Sequence, residues 1–207
     1  MQSFLSFTDN APVATLLLAA IVVMSVVGLG VAPGLVERCM LRPWSLVRNR
    51  EWSTIVTSGF VHADFAHLLF NGFTFWAFAF GLERTIGSER FAVLYAAGLV
   101  ASALGTWLQH RHEPEYRTLG ASGAILAVLF ASIVYHPRSS LYILPLPVPI
   151  PAPLFAVGYL AYTVLAARRG GGRVNHDAHL SGALVGLAFV AVTDAPAFAR
   201  ALHLVLG

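Results

Sequence analysis

Six long apolar stretches separated by short polar connections make up most of this chain. They cover residues 12–31, 63–82, 91–109, 120–136, 151–167 and 178–194. A helix needs about 20 mostly apolar residues to cross roughly 30 Å of hydrocarbon, and the first and third stretches meet that length easily. The fourth and sixth are shorter and start with small and polar residues, so their helices are expected to begin below the membrane surface. The pattern predicts an all-α membrane protein, a bundle of six transmembrane helices.

Composition points to the same class. Of the 207 residues, 57% are hydrophobic and 11% are charged, whereas a soluble domain carries roughly 25% charged residues. The length, with no linker or internal repeat in the sequence, favours a single membrane domain over residues 1–207. The first stretch has no basic region before it and no small-residue cleavage site, so we interpret it as a retained anchor and not as a signal peptide.

The connections between the stretches carry most of the charge. All 13 basic residues are arginines, and their places beside apolar stretches favour contact with membrane lipids over binding of nucleic acid. Residues 32–60 combine arginine with tryptophan and are predicted to form an interfacial loop. The stretch from Pro145 to Pro153 is predicted to be a non-helical connector, and residues 168–173 a flexible loop. The single cysteine, Cys39, excludes an internal disulfide.

Two polar side chains stand where hydrocarbon is expected. Ser122 lies in Gly120-Ala121-Ser122-Gly123 at the start of the fourth stretch, and His179 opens the sixth, 57 positions later. Polar groups inside membrane helices are costly and usually functional. A lone serine or histidine in such a helix is more often a hydrogen-bonding packing residue, so the question is whether the two side chains meet.

Residue spacing predicts that they lie at one depth. The second, fourth and sixth helices run in the same direction, and each ends at a polar boundary. Counting back from these ends gives 16, 16 and 15 residues to His67, Ser122 and His179 (83 to 67, 138 to 122 and 194 to 179). At 1.5 Å per residue, all three lie about 22–24 Å from the same face. Asn71 lies one turn from His67 on the same side of its helix.

Small residues predict a close approach of the fourth and sixth helices. They recur at four-residue spacing, as Gly123, Ala127 and Ala131 in one helix and as Ala178, Gly182 and Gly186 in the other. Such faces let two membrane helices pack backbone to backbone. A hydrogen bond between short side chains on the two helices requires this proximity.

These groups suit nucleophilic catalysis. His179 can accept the proton of Ser122 and later return it to a leaving amine. The side chains of His67 and Asn71, with the backbone N–H of Ser122, can stabilise an oxyanion. Asp177 is only two residues from His179 and is expected to point elsewhere, so the sequence predicts a Ser-His dyad without an orienting acid.

The same residues resemble the rhomboid family of intramembrane serine proteases. The motifs lie in the family's order within about residues 51–194, as His62-x4-His67-x3-Asn71, Glu83-x3-Gly87, Gly120-Ala121-Ser122-Gly123 and Ala178-His179-x2-Gly182-x3-Gly186. The resemblance implies that Ser122 is the nucleophile, His179 the general base, and His67 and Asn71 the oxyanion stabilisers. His62 also matches the family motif, and its expected role is structural more than catalytic.

The resemblance also implies an activity. Members hydrolyse peptide bonds in or near transmembrane segments of other membrane proteins, usually after small residues and near helix-destabilising ones. No cofactor or metal is implied, and the compact plan indicates a bacterial inner membrane protein. Two other classes stay open: a catalytically silent rhomboid-like protein that binds transmembrane helices, and a small transporter. Against a transporter, the sequence shows neither the inverted repeat nor the internal charge pair that transporters often carry.

Three positions depart from the family's pattern. Ser53-Thr54 stands where many relatives have a Trp-Arg pair, so the anchoring of the first loop is expected to differ. Leu126 replaces an aromatic residue that commonly packs on the histidine, and Phe130 stands where a small residue is usual. None of these changes removes a reacting group.

Charge distribution conflicts with the orientation that the resemblance implies, which has a cytoplasmic N-terminus. Cytoplasmic connections usually hold the excess of basic residues. Here the expected cytoplasmic side has Arg84, Arg90, Arg138 and Arg200, and the other side has Arg38, Arg42, Arg48, Arg50, Arg111, Arg117, Arg168, Arg169 and Arg173. We expect headgroup contacts of the first loop to account for part of this excess.

Overall fold

Helices form at all six predicted apolar stretches. The computed structural model describes residues 10–143, 148–169 and 174–206, and for Leu206 the backbone only. The six helices are α1 (Pro12–Gly30), α5 (Phe65–Ile86), α6 (Ser88–His110), α7 (Ser122–Tyr135), α8 (Ala152–Arg169) and α9 (His176–Thr193). The predicted connector residues Pro145 and Pro147, and residues 170–173 of the predicted flexible loop, lie outside the described residues.

The predicted interfacial loop is itself largely helical. It contains α2 (Pro33–Cys39), α3 (Pro43–Arg48), α4 (Thr54–Thr57) and a 3₁₀ turn (Ser58–Phe60). Proline begins α2 and α3, as it begins α1. The first N–H groups of a helix have no partner within it, so proline loses nothing at that position.

Helix α7 is the centre of the bundle. Every residue from Gly123 to Val134 is buried, because α5, α6 and α9 pack around it. A sequence that is apolar apart from Ser132, and so has no polar face, suits this position. The most extensive helix contact joins α7 to α9, which carries His179.

Four described helices are long and apolar enough to cross a membrane, namely α1, α5, α6 and α9. Helix α7 is apolar but has only 14 residues, which is about 21 Å of helix. This length is less than the roughly 30 Å of the hydrocarbon core. Helix α8, with 18 residues, is not among the four.

The described part of the proline-rich connector forms a strand and then the start of a helix. Pro149–Pro151 forms strand β2, which pairs antiparallel with β1 (Ser140–Tyr142), so that Leu141 faces Ile150. Helix α8 then begins at Ala152, which places Pro153 inside a helix. The prediction that the whole stretch is non-helical was wrong at this end, because a proline in the first turn of a helix removes no hydrogen bond.

A final helix, α10 (Ala195–Leu206), follows α9 and was not predicted. Asp194, interpreted from the sequence as a water boundary, accepts a hydrogen bond from the backbone N–H of Ala197 at 3.0 Å and so caps α10. Ala197 and Ala201 are buried against the bundle. Leu202 and Leu204 remain half exposed, so α10 is an amphipathic helix at the end of the bundle.

Candidate active site

Ser122 and His179 meet at the starts of two neighbouring helices. Ser122 is the first residue of α7, and His179 lies in the first turns of α9. The Nε2 atom of His179 lies 2.8 Å from the Oγ atom of Ser122, within hydrogen-bonding distance. Asn175 caps α9, because its side-chain oxygen accepts from the N–H of Ala178 at 3.0 Å.

Glycines allow the two helices to approach this closely. A Cβ atom on Gly182 would overlap the carbonyl oxygen of Gly123, and one on Gly186 would overlap that of Ala127. A Cβ on Gly123 would in turn overlap the side chain of Ser102 on α6. The small-residue faces predicted from the sequence are therefore the surfaces on which α7 and α9 touch.

Gly120 sets the turn into α7. Its φ of 117° is in a region that side-chain-bearing residues rarely adopt, and its N–H donates to the carbonyl of Ser58 at 2.8 Å. The imidazole of His67 lies against the face of Gly120 where a side chain would stand. The turn thus places Ser122 and makes room for His67.

His67 and Asn71 lie on α5, on the opposite wall. Asp64 caps this helix, accepting from the N–H of His67 at 2.7 Å, and the amide of the buried Asn71 donates to the carbonyl of His67 at 3.1 Å. Both side chains line one cavity of about 470 Å³ together with Ser122 and His179. All four side chains that the sequence assigned to one layer therefore face a common space.

His62 lies behind this cavity and is fully buried. Its Nδ1 atom is 2.9 Å from the hydroxyl of Ser25, which itself donates to the carbonyl of Phe60. Its Nε2 atom is 3.5 Å from the N–H of Ala121. Burial, followed by the neighbouring His67, lowers the pKa of His62 to about 4. The neutral ring links α1 to the residue that precedes Ser122.

Glu83 and Gly87 lie at the far end of α5. The buried carboxylate of Glu83 accepts from the N–H groups of Val13 and Ala14 at 3.1 and 2.6 Å, and from the hydroxyl of Ser88 at 2.6 Å. It therefore caps α1 from a neighbouring helix, in the place a carboxylate favours near a helix N-terminus. Gly87 has a φ of 84° and separates α5 from α6.

Tyr159 was missed by the sequence reasoning. Its hydroxyl on α8 lies 3.0 Å from the Nδ1 atom of His179. Asp177 points away, as predicted, and its carboxylate is 3.0 Å from the Nε2 atom of His110. A tyrosine in an apolar helix gives no signal in the sequence, since only the packing of α8 on α9 reveals its partner.

A second opening reaches the same pair of residues. A mostly apolar groove of about 410 Å³ runs between α5 and α8, and both Ser122 and His179 line it. Its walls include Phe70, Phe73, Phe155 and Tyr142.

The fold and the site define a helical membrane protein with a serine and a histidine paired inside its bundle. Residues 49–195 match the model of the Rhomboid domain, and the chain belongs to the rhomboid family. It is 41% identical over 83 residues to "Putative rhomboid protease YdcA" of Bacillus subtilis, covering 40% of each chain. It is 30% identical over 151 residues to "RHOMBOID-like protein 12, mitochondrial" of Arabidopsis thaliana, covering 64% of this chain and 44% of the relative.

The family extends to mammals. The human "Presenilin-associated rhomboid-like protein, mitochondrial" is 31% identical over 147 residues, which is 67% of this chain and 37% of that protein. The chain thus matches less than half the length of these relatives, 37% to 44% of each. With the apolar helices, family membership makes it a multi-pass integral membrane protein of the all-α rhomboid type.

Proposed function

We propose that the protein is an intramembrane serine endopeptidase that uses Ser122 as nucleophile and His179 as general base. The observation that carries the proposal is the 2.8 Å separation of the Ser122 Oγ and His179 Nε2 atoms inside a bundle of apolar helices. A base within hydrogen-bonding reach of a hydroxyl is the arrangement that activates serine.

The reaction proceeds in two halves. Ser122 Oγ attacks the scissile carbonyl carbon while its proton passes to Nε2 of His179, and the carbonyl electrons move onto oxygen. The tetrahedral intermediate collapses, the C–N bond breaks, and Nε2 returns the proton to the amine. Water then attacks the acyl ester, with His179 again taking and returning a proton, and releases the carboxylic acid and free Ser122.

His67 and Asn71 serve as oxyanion donors in this proposal. Both line the cavity that contains Ser122, and Ser122 also contributes the free N–H of the first residue of α7. The cavity lies between largely apolar helices, where such hydrogen bonds are stronger than in water. Gly120 supports the arrangement because its missing side chain leaves space for the His67 ring.

The substrates proposed are transmembrane segments of other membrane proteins. The apolar groove between α5 and α8 opens onto both reacting residues, which suits an apolar segment that arrives from the bilayer. Cleavage after a small residue, near residues that destabilise a helix, is the specificity the family resemblance implies. The membrane proposed for the protein is a bacterial inner membrane.

Labelling with a fluorophosphonate probe tests the proposal, because the probe reacts with an activated serine and not with a packing serine. The full chain in detergent is expected to be labelled and to cleave a model transmembrane substrate. Ser122→Ala and His179→Ala are each expected to reduce the rates of labelling and of cleavage by more than about a thousandfold. Ser132→Ala, in the same helix, and His203→Ala, on the exposed face of α10, are the matched controls and should retain them.

The outcomes separate the two functions considered. Labelling or cleavage that survives Ser122→Ala or His179→Ala would rule out the dyad. A wild-type protein that binds the substrate but is neither labelled nor active would instead be a silent, helix-binding member of the family.

A further inference from the structure

Both ring nitrogens of His179 have partners, and they come from different helices. Nε2 faces Ser122 of α7 at 2.8 Å, and Nδ1 faces the hydroxyl of Tyr159 of α8 at 3.0 Å. Within the described part of the chain, no carboxylate hydrogen-bonds this imidazole. The nearest acid in sequence, Asp177, is bound to His110 instead.

The proton positions follow from the chemistry. A neutral imidazole carries one N–H, and its other nitrogen can only accept. If Nε2 is to accept the proton of Ser122, the N–H must be on Nδ1, and the Tyr159 oxygen must accept from it. The opposite tautomer would place a proton on Nε2, facing Ser122, and leave no base. An acceptor at Nδ1 therefore favours the competent tautomer of His179, and a phenol oxygen can accept there.

Aromatic packing fixes the position of Tyr159. Its ring lies 5.5 Å from that of Phe155, at an angle of 23°, and 5.9 Å from that of Phe130 on α7. Phe130 is fully buried, and it stands where the family pattern has a small residue. At Leu126, where that pattern has an aromatic residue beside the histidine, the aromatic contact is missing. Leu126 and Phe130, two of the departures from the pattern, thus lie around Tyr159 of α8.

We propose that Tyr159 is a positioning residue for the reaction. Its phenol oxygen accepts the Nδ1–H of His179, selects the tautomer in which Nε2 receives the Ser122 proton, and stabilises the imidazolium that forms. This is the task of the aspartate in Ser-His-Asp triads, performed here by an uncharged group on α8. The inference rests on the proposed function.

The variant Tyr159→Phe tests it, because the ring and its contacts with Phe130 and Phe155 remain while the hydroxyl is lost. The expected result is a fall in kcat, and in the rate of fluorophosphonate labelling, of roughly ten- to a hundredfold, the range that a hydrogen bond to a charged group supplies. KM and the thermal unfolding temperature should stay unchanged. Tyr162→Phe is the matched control. It removes a hydroxyl from the same helix, at a residue that is 57% exposed, and should leave kcat unchanged.

A spectroscopic measurement separates positioning from packing. In protein labelled with ¹⁵N-histidine, the resonances lost in His179→Ala identify this ring. The wild type should show protonated Nδ1 and unprotonated Nε2, and Tyr159→Phe should show a mixture of both tautomers. A purely structural tyrosine would leave the tautomer unchanged.

The results distinguish this inference from the function on which it rests. If Tyr159→Phe keeps kcat within about twofold, or loses stability in step with activity, the positioning role is wrong, while loss of activity in Ser122→Ala still supports the protease. If the wild type itself is not labelled, the proposed function fails and this inference fails with it.

Discussion

At the scale of single residues, Gly120 combines two requirements in one position. Its positive φ of 117° turns the chain into α7, and its missing side chain leaves room for His67. An alanine here would face backbone strain of about 1–3 kcal/mol and would also bring its Cβ to 2.8 Å from the His67 ring.

Gly120→Ala is therefore expected to displace a proposed oxyanion donor as well as to destabilise the fold. Loss of one such donor typically costs about 10²–10³ in kcat, which labelling and cleavage rates measure. Gly87→Ala is the matched control, since its φ of 84° gives similar strain but no atom lies near its would-be side chain. It should lower the unfolding temperature and keep the activity. Equal activity loss in both variants would show that strain alone accounts for the effect.

The sequence could predict the site residues that are unusual for their position in a membrane helix. Ser122, His179, His67 and Asn71 are polar groups in apolar helices, and counting residues along those helices is enough to group them. Tyr159 is not unusual in this way, because aromatic residues are common in membrane helices. Its role depends on how α8 packs on α9, which is a tertiary property.

At the scale of elements, the contact between α7 and α9 controls the geometry of the pair. Gly182 lies one turn after His179 and directly against Gly123, the neighbour of Ser122. The opposing atoms are backbone, so a methyl group can be accommodated only if the helices separate. An added methyl group in such a contact costs about 1–3 kcal/mol.

Gly182→Ala is accordingly expected to lengthen the Ser122–His179 distance from 2.8 Å, to lower the thermal unfolding temperature and to abolish most labelling by the probe. Gly158→Ala, in α8, is the matched control, because nothing lies within 4 Å of its would-be Cβ. That variant should be neutral or slightly stabilising, since alanine favours helix over glycine by about 1 kcal/mol. Full activity in Gly182→Ala would mean that the helices tolerate a wider spacing.

Hydrophobic patterning predicted the positions of the six main helices, because each is apolar over many consecutive residues. Hydrophobic patterning did not predict the β1–β2 hairpin or α10, for physical reasons. A three-residue strand is too short to show alternation, and β2 consists of two prolines around Ile150. Helix α10 is short and amphipathic, and it follows α9 after a single residue, Asp194. The sequence therefore shows one polar boundary where the structure has a cap between two helices.

At the scale of the whole molecule, α1 is attached to the bundle at both ends by polar contacts. Only 22% of its apolar span is buried. Near its C-terminal end, Ser25 bonds His62, which lies behind the site. At its N-terminal end, the Glu83 carboxylate receives two backbone N–H groups and the hydroxyl of Ser88. One carboxylate thus joins α1, α5 and the start of α6.

Glu83→Ala should weaken the attachment of α1 to α5 and α6 without displacing the reacting groups. Glu83 lies 16 residues from His67 (83 to 67) on one helix, or about 24 Å along its axis. Hydrogen bonds to a buried charge are each worth about 1.5–3 kcal/mol. A net loss of about 3 kcal/mol would lower the thermal unfolding temperature by roughly 6–12 °C. Labelling of Ser122 well below that temperature should be retained. Glu89→Ala, at an exposed carboxylate in the first turn of α6, should change neither property. If Glu83→Ala abolished labelling while the protein stayed folded, the attachment of α1 would be coupled to the site, and the His62–Ser25 contact would be the connection to examine next.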